Sequence, residues 1–107
     1  MERNNEVKTK IGADNYRLII DEIDHGLINK QKFKDIALLM HPKVNGVYEA
    51  KKSEHELKDV MRLMFDKWWE VELHKKDIDG VKEITRILTH ENVGLHSLSQ
   101  KMKTENK

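Results

Sequence analysis

The sequence contains no cysteine, one proline and five glycines among 107 residues. The absence of cysteine excludes disulfides, cysteine-based zinc sites and a thiol nucleophile, and it favours a reducing, intracellular location, so we expect the cytoplasm. Proline and glycine are the residues that most often interrupt helices. Because both are scarce, we predict an all-α chain.

Long apolar runs are also missing. The longest, such as Leu18–Ile20 and Ile36–Met40, are far shorter than the roughly 20 residues that a membrane-spanning helix needs. The first ten residues, MERNNEVKTK, lack the apolar core of a signal peptide. We therefore predict no membrane association.

Neither sign of charge predominates. There are 20 basic and 19 acidic residues, and the isoelectric point is about 8.0. Apolar residues make up 37% of the chain and charged residues 36%, which does not match the low hydropathy and high net charge of a disordered chain. This length and composition predict one globular domain with a real core.

The apolar spacing predicts a bundle of about six helices over residues 14–103. A flexible segment at 1–13, with at most a short helical turn, precedes it, and a tail at 104–107 follows. We expect Asp14 to cap the first helix and Gly26 to end it. The second helix should begin after Asn29 and stop before Pro42, and the next dozen residues should hold one or two helical turns at most.

A fourth helix has the strongest pattern. Ser53 and Glu56 form the Ser-x-x-Glu capping box that opens such helices. The core-facing residues recur at helical spacing: Leu57, Val60, Met61, Met64, Phe65 and Trp68. Trp68 should be the core anchor. Trp69 lies about 100° further round and should cover a seam between helices or serve as a rim anchor for a partner.

Two shorter helices follow. Asp77 and Asp79 are cap candidates for the fifth. The apolar positions of the fifth and sixth helices are Val81, Ile84, Ile87, Leu88, Leu95, Leu98 and Met102. The connections are short, so sequential helices should pack antiparallel.

The stretch MRLMFDKWWEVELHKKDIDGVKEITRILTHENVGLHSLSQKM resembles the C-terminal half of a death domain. Its tryptophan-bearing fourth helix, its Val81-x-x-Ile84-x-x-x-Leu88 fifth helix and its Leu95-x-x-Leu98-x-x-x-Met102 sixth helix match the family pattern. FKDIALLM resembles the family's second helix. The resemblance implies the death fold, a six-helix antiparallel bundle in a Greek-key arrangement. The caspase-recruitment family, with the same six-helix plan, is the alternative because LIIDEIDHGLINKQKF resembles the connection between its first and second helices.

The resemblance implies an adaptor for apoptotic or innate-immune signalling. Its partners would be other death-fold domains, in homotypic or heterotypic pairs, including further copies of itself. A basic patch and an acidic patch on different faces would allow head-to-tail pairing that can propagate. The expected basic patch is Lys30, Lys32, Lys34 and Lys43, and the expected acidic patch is Asp21, Glu22, Asp24, Glu56 and Asp59.

Other functions find less support. No nucleophile-base constellation, phosphate loop or His-x-x-x-His spacing is present, so we predict no catalytic activity, metal or cofactor. A lysine-rich helical face could bind nucleic acid, but the balanced charge and the four arginines disfavour it. A helical docking domain for an unrelated partner is a further alternative.

Overall fold

A computed structural model of the chain describes residues 4–26 and 28–102, and all regular structure in these ranges is helical. The α-helices are α1 (Asn4–Ile11), α2 (Ala13–Asp24), α3 (Lys30–Met40), α4 (Pro42–Lys51), α5 (Leu57–Trp68), α6 (Gly80–Thr89) and α7 (His96–Lys101). A π-helical turn (Trp69–Leu73) extends α5. The all-α prediction is confirmed. Helices α2 to α7 lie where the six predicted helices were placed, and α1 is additional.

Helix α1 corrects the prediction of a flexible segment at 1–13 for the part that the structure describes. Val7 and Ile11 are four residues apart, so both point to one side of the helix. Both are fully buried. Asn4 lies on the same side and is also buried. The helix packs against α2, α5, the π-helical turn and α6, so the packed body begins before residue 14. The predicted tail at 104–107 lies outside the described residues.

The link between α1 and α2 is one residue long, and this explains why Asp14 is not the N-cap. Gly12 has a φ of 96°, a value that residues with a Cβ rarely adopt, and this lets the chain turn directly into α2. The side-chain nitrogen of Asn15 donates to the Ile11 carbonyl at 2.8 Å, which satisfies one of the C-terminal carbonyl groups of α1. Asp14 instead pairs with Arg17 in the first turn of α2.

Two other predicted caps are confirmed. Asn29 accepts a hydrogen bond from the Lys32 backbone N–H at 3.1 Å, and Asp79 accepts one from the Lys82 N–H at 3.2 Å. Pro42 ends α3 as expected, but it also begins α4. Helix α4 has ten residues, which is longer than the one or two turns that were predicted.

The capping box of Ser53 and Glu56 does not form. Helix α5 begins at Leu57 with Glu56 at the N-cap, and no side chain caps it. Residues 52–56 are all exposed. A helix starting at Ser53 would bury none of these polar side chains, so it would gain no packing energy.

The π-helical turn explains why Leu73 is in the core. In an uninterrupted α-helix Leu73 would point about 180° away from Met64. In an α-helix each N–H bonds to the carbonyl four residues back. In this turn the His74 N–H bonds instead to the Trp69 carbonyl, five residues back, at 3.2 Å. Such a turn takes up an extra residue. Leu73 therefore returns to the buried side of the helix, and both Trp68 and Leu73 are almost completely buried.

Candidate interaction surface

The structure brings the predicted acidic residues to the end of α2 and the beginning of α5. The two segments are joined by an ion pair between Asp24 and Lys58 at 3.1 Å. Asp21 and Asp24 are exposed on α2, and Glu56 and Asp59 are exposed at the start of α5. These four residues therefore share one region of the surface, which we call the acidic face.

Glu22 differs from the other acidic residues because its side chain is only 13% exposed. Its carboxylate lies 3.9 Å from the Lys101 ammonium and 3.9 Å from His25 Nδ1. Glu22 thus connects α2 to α7 within the chain, and it offers little surface to a partner.

The four predicted basic residues do not form one patch. Lys32 and Lys34 lie on opposite flanks of the buried stripe of α3, since they are about 200° apart along the helix. The Lys32 ammonium donates to the Val93 carbonyl at 2.7 Å, and Lys34 lies 4.0 Å from the Glu49 carboxylate of α4. Lys30 and Lys43 are exposed.

Ion pairs within the chain leave only some charges available. Asp24 pairs with Lys58, and Asp59 pairs with Arg62 at 3.0 Å. Among residues 4–26 and 28–102, no ion pair involves Asp21, Glu56, Lys30 or Lys43. Of the predicted patch residues, these four are the ones that a partner would meet without first displacing an ion-pair neighbour. Lys30 begins α3 and its carbonyl accepts a hydrogen bond from the Tyr48 hydroxyl near the end of α4, whereas Lys43 lies in the first turn of α4. The two lysines therefore stand at opposite ends of the α3–α4 pair, and they are called the exposed lysines below.

The i, i+3 spacing could have identified part of this pairing from sequence. Arg62 follows Asp59 by three residues, and Lys52 follows Glu49 by three, which places each pair on one side of a helix. The Lys58 and Lys34 contacts join different helices. No local pattern could have found them.

Glu49 is the most electrostatically coupled group in this region. The Lys52 ammonium lies 2.8 Å from its carboxylate, and this hydrogen bond holds the pKa of Glu49 below its usual value. The same contact raises the pKa of Lys52. Both side chains are well exposed, so water screens the pair and its contribution to stability is small.

Trp69 lies where the sequence placed it, at the edge of the core stripe. It is partly buried and packs against the core. One side of it borders an open cleft of about 300 Å³ that is lined by Asn5, Glu6, Thr9, Lys10 and Trp69. The His74 ring stands edge-on at 6.4 Å. Trp69 therefore covers the seam between α1 and the π-helical turn, and part of its ring remains accessible from the cleft.

Within the described ranges, no three His, Asp or Glu side chains are grouped closely enough to hold a metal ion. None of the helices there combines the length and apolar composition that crossing a bilayer requires. In the part of the chain that the structure describes, lysines that lie close to carboxylates include Lys34, Lys52 and Lys58. This pairing reduces the positive charge that a nucleic acid would meet.

Comparison with known proteins found no match among family models, curated proteins or solved structures.

Proposed function

We propose that the chain is a protein–protein interaction module of the death-fold type that associates head to tail with further copies of itself or with related domains. The caspase-recruitment type is the alternative within the same fold. Helices α2 to α7 would be the six helices of the fold, and α1 an addition at its N-terminal end. The proposed setting is the assembly of an intracellular signalling complex in the cytoplasm.

The observation that carries the proposal is the separation of uncompensated charges. Asp21 and Glu56 are exposed on α2 and at the start of α5, whereas Lys30 and Lys43 are exposed at the starts of α3 and α4. Exposed charges of opposite sign on different helices of one molecule favour a heterologous contact, in which the acidic face of one copy meets the exposed lysines of the next.

Charge reversal tests this arrangement. A variant with Lys30→Glu and Lys43→Glu should lose self-association, and so should a variant with Asp21→Lys and Glu56→Lys. Each variant alone then carries charges of one sign on both sets of positions, and the two variants carry opposite signs, so mixing them should restore association. A variant with all four changes should also associate, because both sets of charges are inverted together.

Static light scattering across protein concentration, at low and at physiological salt, measures these outcomes. Association should weaken as salt rises, since added ions screen exposed charges. Lys82→Glu, an exposed change on α6, is the matched control and should associate like the unmodified chain. A chain that stays monomeric at low salt and captures no domain from a panel of death-fold domains would overturn the proposal.

A further inference from the structure

We infer that Ser53 is a phosphorylation site for a serine/threonine kinase that recognises acidic sequences. Ser53 lies in the turn between α4 and α5, within the sequence Lys52-Ser53-Glu54-His55-Glu56. Ser53 and Glu56 have the Ser-x-x-Glu spacing of a helix capping box, but in the structure no side chain caps the start of α5. Transfer of phosphate to Ser53 does not rest on the proposed function, although its effect on assembly does.

Ser53 meets the first requirement of a kinase substrate, which is access. All five residues of the turn are exposed. Within the described part of the chain, the Ser53 hydroxyl makes no hydrogen bond. The backbone of the turn is held only lightly, by hydrogen bonds from the Lys52 N–H to the Tyr48 carbonyl and from the Glu54 N–H to the Lys51 carbonyl. Such a segment opens locally at low cost.

The charges around Ser53 favour an acid-directed kinase. Glu54 and Glu56 follow at the first and third positions, and no ion pair among the described residues engages either carboxylate. Lys52 precedes Ser53, but it is already held by Glu49 at 2.8 Å. The carboxylates are therefore free to enter a basic substrate groove. Charge complementarity of this kind is how kinases choose substrates.

Thr9, Thr89 and Ser97, three other hydroxyls in the described part of the chain, are less suited. Thr9 and Thr89 donate to backbone carbonyls within their own helices. Ser97 is exposed on α7, but no acidic residue follows it at the first or third position. Thr104 has a following glutamate and lies outside the described residues, so the experiment must test it separately.

The reaction is phosphoryl transfer from ATP. The Ser53 oxygen attacks the γ-phosphorus and a new P–O bond forms. The bond from that phosphorus to the oxygen bridging the β- and γ-phosphates breaks, ADP leaves, and the hydroxyl proton passes to the base of the kinase. The product carries about −1.5 to −2 additional charge at neutral pH.

The phosphate would stand beside Lys52 and three residues before Glu56, the N-cap of α5. It should compete with Glu49 for the Lys52 ammonium and interact favourably with the N-terminal end of α5. It also adds negative charge next to Glu56, which belongs to the acidic face. If the proposed function holds, phosphorylation should tighten self-association at low salt.

The test incubates the full chain with ATP and either a purified acid-directed kinase or, in parallel, a purified base-directed kinase. Intact-mass and fragment mass spectrometry then measure and locate the phosphate. We expect the acid-directed kinase to add phosphate at Ser53. Ser53→Ala should lose this product, whereas Ser97→Ala and Thr104→Ala should keep it. The double variant Glu54→Gln and Glu56→Gln should lower the initial rate severalfold, and Glu91→Gln, an exposed control, should not.

Three results would overturn the inference: no phosphate on Ser53, an unchanged rate in the double glutamine variant, or modification by the base-directed kinase alone. Circular dichroism of Ser53→Ala should match the unmodified chain, because the hydroxyl holds nothing in place. Self-association is measured separately by light scattering. A phosphorylated chain that stays monomeric would therefore contradict the proposed function and leave the site assignment intact.

Discussion

Helix α1 and the turn at residues 52–56 are both polar stretches of sequence, yet α1 packs against the core whereas the turn is exposed. In α1 only Val7 and Ile11 are apolar, and both are fully buried. The turn has no apolar residue and all of it is exposed. Two side chains with the correct spacing thus order a helix more effectively than a capping sequence that has nothing to bury.

Of the changes considered, Ile11→Ala should lower the free energy of unfolding the most, because it removes one of the two buried apolar side chains of α1. Ile11 is completely buried, and truncating such a side chain costs about 2–5 kcal/mol through lost burial and the cavity left behind. Urea denaturation measures this free energy of unfolding. Thr9→Ala, on the exposed side of the same helix, should stay within about 0.5 kcal/mol of the unmodified chain. Equal stabilities for the two variants would mean that α1 is not part of the core.

Gly80→Ala should separate α1 from α6. A Cβ at Gly80 would lie 2.6 Å from the Lys10 carbonyl oxygen, so the two helices must move apart, at a cost of about 1–3 kcal/mol. The control is Gly46→Ala in α4, where a Cβ meets no atom within 4 Å. That change should stabilise the protein by about 0.5–1 kcal/mol, because alanine favours a helix over glycine. Thermal melting should show shifts of opposite sign, and shifts of the same sign would contradict the close packing.

Asn4→Ala should lower the free energy of unfolding by about as much as Gly80→Ala. The buried Asn4 side chain donates to the Arg62 carbonyl at 3.0 Å and accepts a hydrogen bond from the Tyr16 hydroxyl. Its removal leaves these groups without their partner, which costs about 1–3 kcal/mol. Asn5→Ala, at an exposed position, is the matched control and should change stability by less than about 0.5 kcal/mol. A loss of equal size in both variants would argue against the buried contact.

Lys52→Gln should have the smallest effect on stability, but it should clearly change the titration of the Glu49 carboxylate. Because Lys52 lowers the pKa of Glu49, its replacement should raise that pKa toward the usual glutamate value. A lowered pKa in the folded state stabilises the protein above the unfolded pKa, and this contribution is lost as the pH falls through the folded value. Both groups are exposed, so the melting temperature should barely change.

An NMR titration of the Glu49 carboxylate measures the shift. Lys51→Gln is the control, because no described ion pair involves Lys51. If the Glu49 pKa is the same in Lys52→Gln as in the unmodified chain, Lys52 is not what lowers it.

Most of the helices could be predicted because their buried residues recur at regular spacing. Trp68, Ile84 and Leu98 are almost fully buried where that spacing placed them. Helix α1 was missed because its buried side includes Asn4, whose polar groups find partners in residues 12 and 58 positions away. Contacts between distant residues leave no local signal.

The candidate surface was predicted only in part for the same reason. Positions on the predicted helices identified residues such as Asp21 and Lys30 as exposed groups, and the structure shows both exposed, on α2 and α3. These positions did not reveal the neighbours of each charge. They could not show that Lys32 would be drawn to the Val93 carbonyl or that Glu22 would be largely covered. A charged residue's availability depends on its neighbours in space, and the order of residues along the chain does not specify them.

The π-helical turn has a consequence for comparing this chain with relatives. It takes up one residue more than a regular helix needs between Trp68 and Leu73. A homologue that lacks this residue could continue α5 as a regular helix and still present its leucine to the core. We therefore expect an alignment of homologues to tolerate a single-residue gap at this point, where gaps inside a helix would otherwise indicate misalignment.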